Sequence, residues 1–252
     1  MTCPLLFRFR SIDRLPEEPS AAAVRGTLVH RALETLFDLP AADRTSAAAT
    51  ELVDRAFREL QRDDPDSAET VRDGDDGPDV TALLDAYFGL EDPQRLEPHA
   101  RELGVSAQLA ETFEVRGFID RVDLSPDGQV RIVDYKTGRS PGPGFEAKAM
   151  FQMRFYALTW WRMTGDVPRL LQLMYLGNRE VLRYEPSEDD LLSTERKVLA
   201  LRDAISRAAD ARQFDPSPSK LCDWCSHRAL CPAWGGSPPP LPAREDWPTG
   251  SA

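Results

Sequence analysis

Three charged residues fall in two short runs of alternating apolar and polar character: Asp120 in GFIDRVDL, and Asp134 with Lys136 in QVRIVDYKTG. In an extended strand, residues two apart share a face, so Asp134 and Lys136 project together. Asp120 joins them if the two runs pair as a hairpin. Two carboxylates and an ammonium on one sheet face are costly to bury without a further counter-charge. A divalent cation supplies one. Mg²⁺ takes oxygen ligands and keeps several waters, a combination suited to phosphodiester hydrolysis. Lys136, beside a metal-bound water and a scissile phosphate, would orient the nucleophile or stabilise developing negative charge. A D-x-K triplet alone describes a solvated ion pair equally well, so the reading depends on its company.

That company is spread along the chain. His30 lies in RGTLVHRALE with Gly26 four residues before it, which lets a backbone approach closely on the same helical face. Imidazole is a common metal ligand, although a lone helical histidine is more often simply packed. Gln152 and Tyr156 are spaced i, i+4 and share a helix face. Upstream of the hairpin, Glu97 and Glu102 are both candidates for a third carboxylate, and spacing does not choose between them. The cysteines are more specific. Cys222, Cys225 and Cys231 form C-x2-C-x5-C, and Cys3 is the one remaining sulfur that could complete a set of four. MTCPLLFRFR has no apolar secretory core, which argues against disulfides. Four thiolates satisfy tetrahedral Zn²⁺ or an iron-sulfur cluster, and spacing leaves the two about even.

The elements that must position these groups are readable from periodicity. Residues 20–37 place Val24, Leu28, Ala32 and Phe37 near one helical face, with Ser20 as N-cap. A second helix is predicted over 43–62, and 80–90 forms a short third. Between these two, DDPDSAETVRDGDDGPD, with its Asp-Pro, Asp-Gly and Gly-Pro steps, reads as an exposed, partly flexible loop. From Glu111 the period changes to two, and Ser125 to Gly128 (SPDG) divides a β-hairpin. A long helix over 145–163, strands at 169–176 and 180–184, and a charged helix over 187–212 follow. Helices flanking a mixed central sheet make an α/β fold. The stretch after Trp234 is rich in Pro and Gly and reads as irregular.

Composition bounds what the chain can be. Hydrophobic residues make up 41% and charged residues 29%, which excludes a wholly disordered or fibrous protein. No apolar run approaches the roughly 18 residues of a spanning helix, and Leu170 to Leu176 is interrupted by Gln172, so no membrane partner and a cytoplasmic location are expected. A net charge of −11 by itself disfavours nucleic acid, yet 12 acidic and 3 basic residues between Arg62 and Glu97 carry −9 of it. Of the 31 basic residues 27 are Arg, whose planar fork suits phosphate oxygens, though codon composition produces the same excess.

Taken in order, Cys3, RGTLVHRALE, GFIDRVD, VDYKTG, Gln152 with Tyr156, and CDWCSHRALC resemble the RecB-like nucleases of the PD-(D/E)XK superfamily. Within these, the set is similar to the iron-sulfur branch that includes the AddB nuclease domain and CRISPR-associated RecB-type exonucleases. The resemblance implies a restriction-endonuclease-like core with an iron-sulfur clip joining the N- and C-termini. It divides the chain into a nuclease domain over 1–234, with an acidic insertion at 62–97 and a cysteine segment at 214–234, and a tail over 235–252. It further implies that His30, Glu102, Asp120 and Asp134 hold Mg²⁺ or Mn²⁺, that Lys136 assists the attacking water, and that Gln152 and Tyr156 orient Lys136 or contact the DNA backbone. Cys3, Cys222, Cys225 and Cys231 would hold a mainly structural [4Fe-4S] cluster. The implied activity is DNA cleavage, as an exonuclease rather than an endonuclease, on single strands or ends in repair or recombination. A noncatalytic DNA-binding subunit of a helicase-nuclease complex and a CRISPR spacer-acquisition nuclease are the alternatives. The family's short segment ahead of its first cysteine implies that the start at Met1 truncates the native chain. No G-x-x-x-x-G-K-[ST] is present, so a motor, if one is needed, is a separate helicase.

Overall fold

A computed structural model of the chain describes residues 3–72, 79–142 and 146–247. Its helices are α1 (Pro4–Phe7), which runs on as a π turn to Ile12, α2 (Ala21–Leu36), α3 (Ser46–Asp63), α4 (Pro65–Arg72), α5 (Val80–Leu90), α6 (Glu146–Thr164) and α7 (Glu188–Asp210). Its strands are β1 (Ala100–Ala110), β2 (Phe113–Leu124), β3 (Val130–Lys136), β4 (Leu170–Tyr175) and β5 (Glu180–Tyr184). Two compact units divide these elements: Pro19–Glu195 in one, and Met1–Glu18 with Arg196–Ala252 in the other.

The larger unit is built on one five-stranded sheet in the order β1-β2-β3-β4-β5. β3 and β4 are parallel, joined through α6, and every other neighbouring pair is antiparallel. This is the expected mixed sheet with helical flanks. One face packs Val133, Tyr135, Met174 and Leu176 against Leu33 and Leu36 of α2, Leu52 of α3 and Leu83, Leu84 and Tyr87 of α5. The opposite face packs Ile119, Ile132, Leu171 and Leu173 against Met153, Ala157 and Leu158 of α6. β4 sends apolar residues to both sides, so apart from Gln172 it reads as a near-continuous apolar run, as a strand buried on both faces does. Fully burying a side chain of this size stabilises the fold by roughly 1.5–3 kcal/mol.

Local chemistry explains the boundaries. Ser20 accepts the Ala23 N–H at the start of α2, and Thr45 accepts that of Ala48 at the start of α3. The SPDG turn closes with Gly128 at φ +80°, a conformation open to glycine at little cost. Two expectations need correction. The acidic stretch after Arg62 is not all loop: α4 occupies its first part and buries Ala68, while residues 73–78 lie outside the described residues. The hairpin forms as expected from β2 and β3, but it is the second half of a three-stranded meander, because β1 pairs with β2 from Ala100↔Val122 to Ala110↔Phe113. In the smaller unit Ile12, Ala209, Phe214 and Trp247 form a separate apolar cluster, so the Pro- and Gly-rich stretch is anchored at Trp247; residues 248–252 lie outside the described residues. Among the described residues no helix is long and apolar enough to cross a membrane.

Candidate active site

The site forms where β2 and β3 part. Their ladder runs from Leu124↔Val130 to Arg121↔Val133 and goes no further. Beyond it the N–H of Tyr135 donates to Asp120 Oδ2 at 2.8 Å, so a side-chain carboxylate occupies the place of a strand carbonyl. The carbonyl of Tyr135 lies 2.9 Å from His30 Nε2. A carbonyl only accepts, so Nε2 carries a proton, and in the neutral tautomer this selects the lone pair is on Nδ1. That lone pair lies 3.4 Å from Asp120 Oδ2. Two acceptors at this separation call for a proton or a cation between them. The donor atoms of His30, Glu102 and Asp120 all lie within 4.8 Å of one another. A backbone carbonyl fixing the tautomer of a ligating histidine, with carboxylate oxygens beside it, fits a divalent cation. Glu102 holds φ +43°, outside the usual range for a non-glycine residue and costing about 1–3 kcal/mol.

Asp134 and Lys136 face α6. Lys136 Nζ lies 2.7 Å from Asp134 Oδ2 and donates to Gln152 Oε1 at 3.0 Å. Gln152 Nε2 in turn donates to the Tyr156 hydroxyl at 2.9 Å. The i, i+4 pair of α6 therefore gives the ammonium a second partner besides the carboxylate. Gly117 makes room for this: a Cβ there would sit 3.0 Å from the Tyr156 ring. Asp134 is buried next to these groups, close enough for its charge to act on Asp120, although its oxygens are not within 4.8 Å of all three donors around His30.

The carboxyls are poised to take up a cation. Burial, then the charge of Asp134, pushes Asp120 up to about 7. Burial and next Asp120 raise Glu102, and burial raises Asp134 despite Lys136 beside it. Glu97 is elsewhere. Its exposed side chain pairs with Arg44 at 2.8 Å, so of the two upstream candidates it is Glu102 that reaches the site.

A profile of the PD-(D/E)XK nuclease superfamily matches residues 1–232. The chain belongs to this superfamily. Its sequence is 32% identical over 139 residues to the Gene 69 protein of Mycobacterium phage L5, covering 54% of this chain and 45% of that protein. It is 26% identical over 160 residues to the Gene 69 protein of Mycobacterium phage D29, covering 62% and 50%. The chain thus spans about half the length of the curated relatives it matches. A crystal structure of a candidate exonuclease from Eubacterium rectale aligns over 90% of this chain and 87% of its own at TM-score 0.45 and 14% identity.

In this superfamily member the cleft rests on a buried support that the sequence reading missed. Arg121 is 1% exposed. Its Nη2 lies 2.7 Å from Glu91 Oε2, its Nε lies 3.1 Å from Asp123 Oδ1, and its Nη1 donates to the Tyr135 hydroxyl at 2.7 Å. Tyr135 is therefore held by its ring at one end while its backbone holds Asp120 and His30 at the other. The Asp-Arg-Val-Asp spacing signals a same-face Arg121–Asp123 pair on β2. Nothing in the sequence signals that Glu91, at the end of α5, joins it.

The four cysteines lie in the smaller unit, unbridged, and line one cavity together with Leu5, Phe9 and Trp234. Their sulfurs do not converge as expected for a closed metal clip: among the described residues no three lie within 4.8 Å of one another. Backbone donors take two of them instead. Ser217 N–H meets Cys3 Sγ at 3.4 Å, and Ser219 N–H meets Cys222 Sγ at 3.3 Å. Single-ion tetrahedral geometry, with metal–sulfur bonds near 2.3 Å, requires closer sulfurs than these.

Proposed function

We propose that this chain is a divalent-metal-dependent deoxyribonuclease that acts as an exonuclease on single strands or DNA ends in repair or recombination, fed where necessary by a separate helicase. The observation that carries the reading is the convergence of His30, Glu102 and Asp120 at the parted ends of β2 and β3, beside the Asp134–Lys136 pair. In this reading His30 Nδ1, Glu102, Asp120 and Asp134 would hold Mg²⁺ or Mn²⁺. When bound, the cation lowers the pKa of its water and offsets charge on the phosphate oxygens. Tyr135 keeps His30 in the tautomer that leaves Nδ1 unprotonated. Lys136, held between Asp134 and Gln152, orients the attacking water and stabilises negative charge at the phosphate. Tyr156 fixes the Gln152 amide so that its oxygen faces Lys136.

The same proposal extends to the cysteines. Cys3, Cys222, Cys225 and Cys231 would hold a [4Fe-4S] cluster of structural role, supported by four free thiols on one largely apolar cavity and by N–H donors to sulfur, which tune such clusters. The chain then divides into a nuclease domain over 1–234, with its acidic insertion at 62–97, and a tail.

The test is cleavage of end-labelled single- and double-stranded DNA by anaerobically purified protein with Mg²⁺, Mn²⁺ or EDTA, beside the Lys136→Ala variant. Products that require the metal and Lys136 are expected, and the ladder's direction gives the polarity. DNA bound by brown, cluster-loaded protein without any product would overturn the enzymatic reading in favour of a noncatalytic binding subunit.

A further inference from the structure

Phe118 is 66% exposed on a strand whose neighbouring side chains, Ile119 and Arg121, are fully buried. Its position in the register explains how it is held. Phe118 pairs with Gly104 of β1, and a Cβ on Gly104 would lie 3.6 Å from the Phe118 ring. The ring therefore lies across a bare stretch of β1 backbone, supported beneath and open above. It borders a cleft of about 580 Å³ whose wall also includes Gly26, Thr27, His30 and Glu102. Two of the three converging donor residues thus share a cleft with a large exposed aromatic ring. Along β2, Phe118 precedes Asp120 by two residues, roughly 7 Å of strand, about the reach from a phosphate to the base of its own nucleotide.

A single exposed aromatic ring needs no explanation by itself, but one that borders a cleft shared with converging metal-ligand candidates suits an unpaired base, since every base offers a π-face. A paired base inside a duplex presents only its edge and cannot cover the ring. We propose that Phe118 is the stacking platform for an unpaired nucleobase next to the scissile phosphate, and that it makes the site selective for single-stranded nucleic acid. This rests on the nuclease reading above and names its substrate class. Gly104 beneath the ring lets it lie against the strand, and Gly26 also lines the cleft. Phe118 contacts the substrate without joining the chemistry, so its contribution appears in binding and leaves the metal site unchanged.

The experiment measures binding in EDTA, where no cleavage occurs, of the whole chain to a fluorescent oligodeoxythymidylate and to an abasic oligomer of equal length and charge. The wild-type protein should prefer the base-bearing strand by between about 5- and 150-fold, the range of one base–aromatic stack. Phe118→Ala should bring the two affinities together, and Phe118→Trp should restore the preference. The position is exposed, so thermal melting of the variants should match wild type. A preference unchanged in Phe118→Ala, in protein whose wild type cleaves DNA with Mn²⁺, overturns the stacking proposal and leaves the nuclease reading intact. Wild-type protein that neither binds either strand nor cleaves with Mn²⁺ overturns both.

Discussion

Replacing Asp120 with Asn should stabilise the metal-free protein while abolishing cleavage, because the carboxylate is placed for a cation and not for the fold. Asp120 is held near pH 7 against an ordinary value of 3.8, a gap of about three pH units. At ~1.4 kcal/mol per unit this is a ceiling of roughly 4 kcal/mol. The sign follows from proton binding. Between pH 4 and 7 the folded protein keeps a proton that the unfolded chain has lost, so stability falls as pH rises through this window, and the full penalty is present above about 7. Asn does not ionise, and its carbonyl can still accept the Tyr135 N–H that Asp120 Oδ2 accepts at 2.8 Å. Water entering the metal-free cleft lowers the ceiling, so we expect a gain of about 1–3 kcal/mol at pH 8. The assay is urea unfolding in EDTA at pH 8 and at pH 4, followed by circular dichroism. The gain should nearly vanish at pH 4. Mn²⁺ at 100 times its Kd should raise wild-type stability by about 2.7 kcal/mol and raise that of Asp120→Asn far less. A variant no more stable than wild type at pH 8, or a gain of equal size at both pH values, would refute the argument that the cluster is strained without its cation.

Other parts of the fold offer equally direct tests. Mn²⁺ affinity, measured by calorimetry, should rise with pH and level off above about 7, because Asp120 must lose its proton to bind; pH-independent affinity between 5 and 8 contradicts the role given to it. Glu91→Ala removes one anion from the buried Arg121 and should cost about 3–5 kcal/mol in urea unfolding. If that loss is under 1 kcal/mol, Arg121 does not depend on Glu91. Gly177→Ala would bring a Cβ to 2.7 Å from the Gly138 carbonyl oxygen, forcing apart the chain just beyond β3 and β4. A loss of about 1–3 kcal/mol is expected, together with slower cleavage through displacement of nearby Lys136. Wild-type stability and rate in that variant would show the two segments to be free to move apart.

The parts of this protein legible in its sequence are those specified locally. The alternation of GFIDRVDL and QVRIVDYK about an Asp-Gly turn foretold β2 and β3, and the same period of two placed Asp134 beside Lys136. The i, i+4 spacing placed Gln152 and Tyr156 on one face of α6, where they now reach Lys136 in series. β1 was missed although Leu103, Val105, Ala107 and Leu109 alternate along it, because Gly104 and three alanines dilute the β-branched signal that marks a strand. α4 was missed because its acidic residues and leading Pro65 resemble a turn, and the apolar side chain it fully buries is Ala68. The choice between Glu97 and Glu102 was not local at all. It depends on Arg44 drawing Glu97 outward and on a left-handed residue turning Glu102 toward His30. The same holds for Arg121, whose partners Glu91 and Tyr135 are 30 and 14 positions away. A local pattern can specify which residues carry the chemistry, but the pairing of α5 with β2 and β3 specifies how far apart their atoms lie. Tyr135 makes that dependence concrete. Between the two charged residues of the DYK triplet, it looks in sequence like a spacer, yet its N–H holds Asp120, its carbonyl sets the tautomer of His30, and its hydroxyl ties both to a buried arginine.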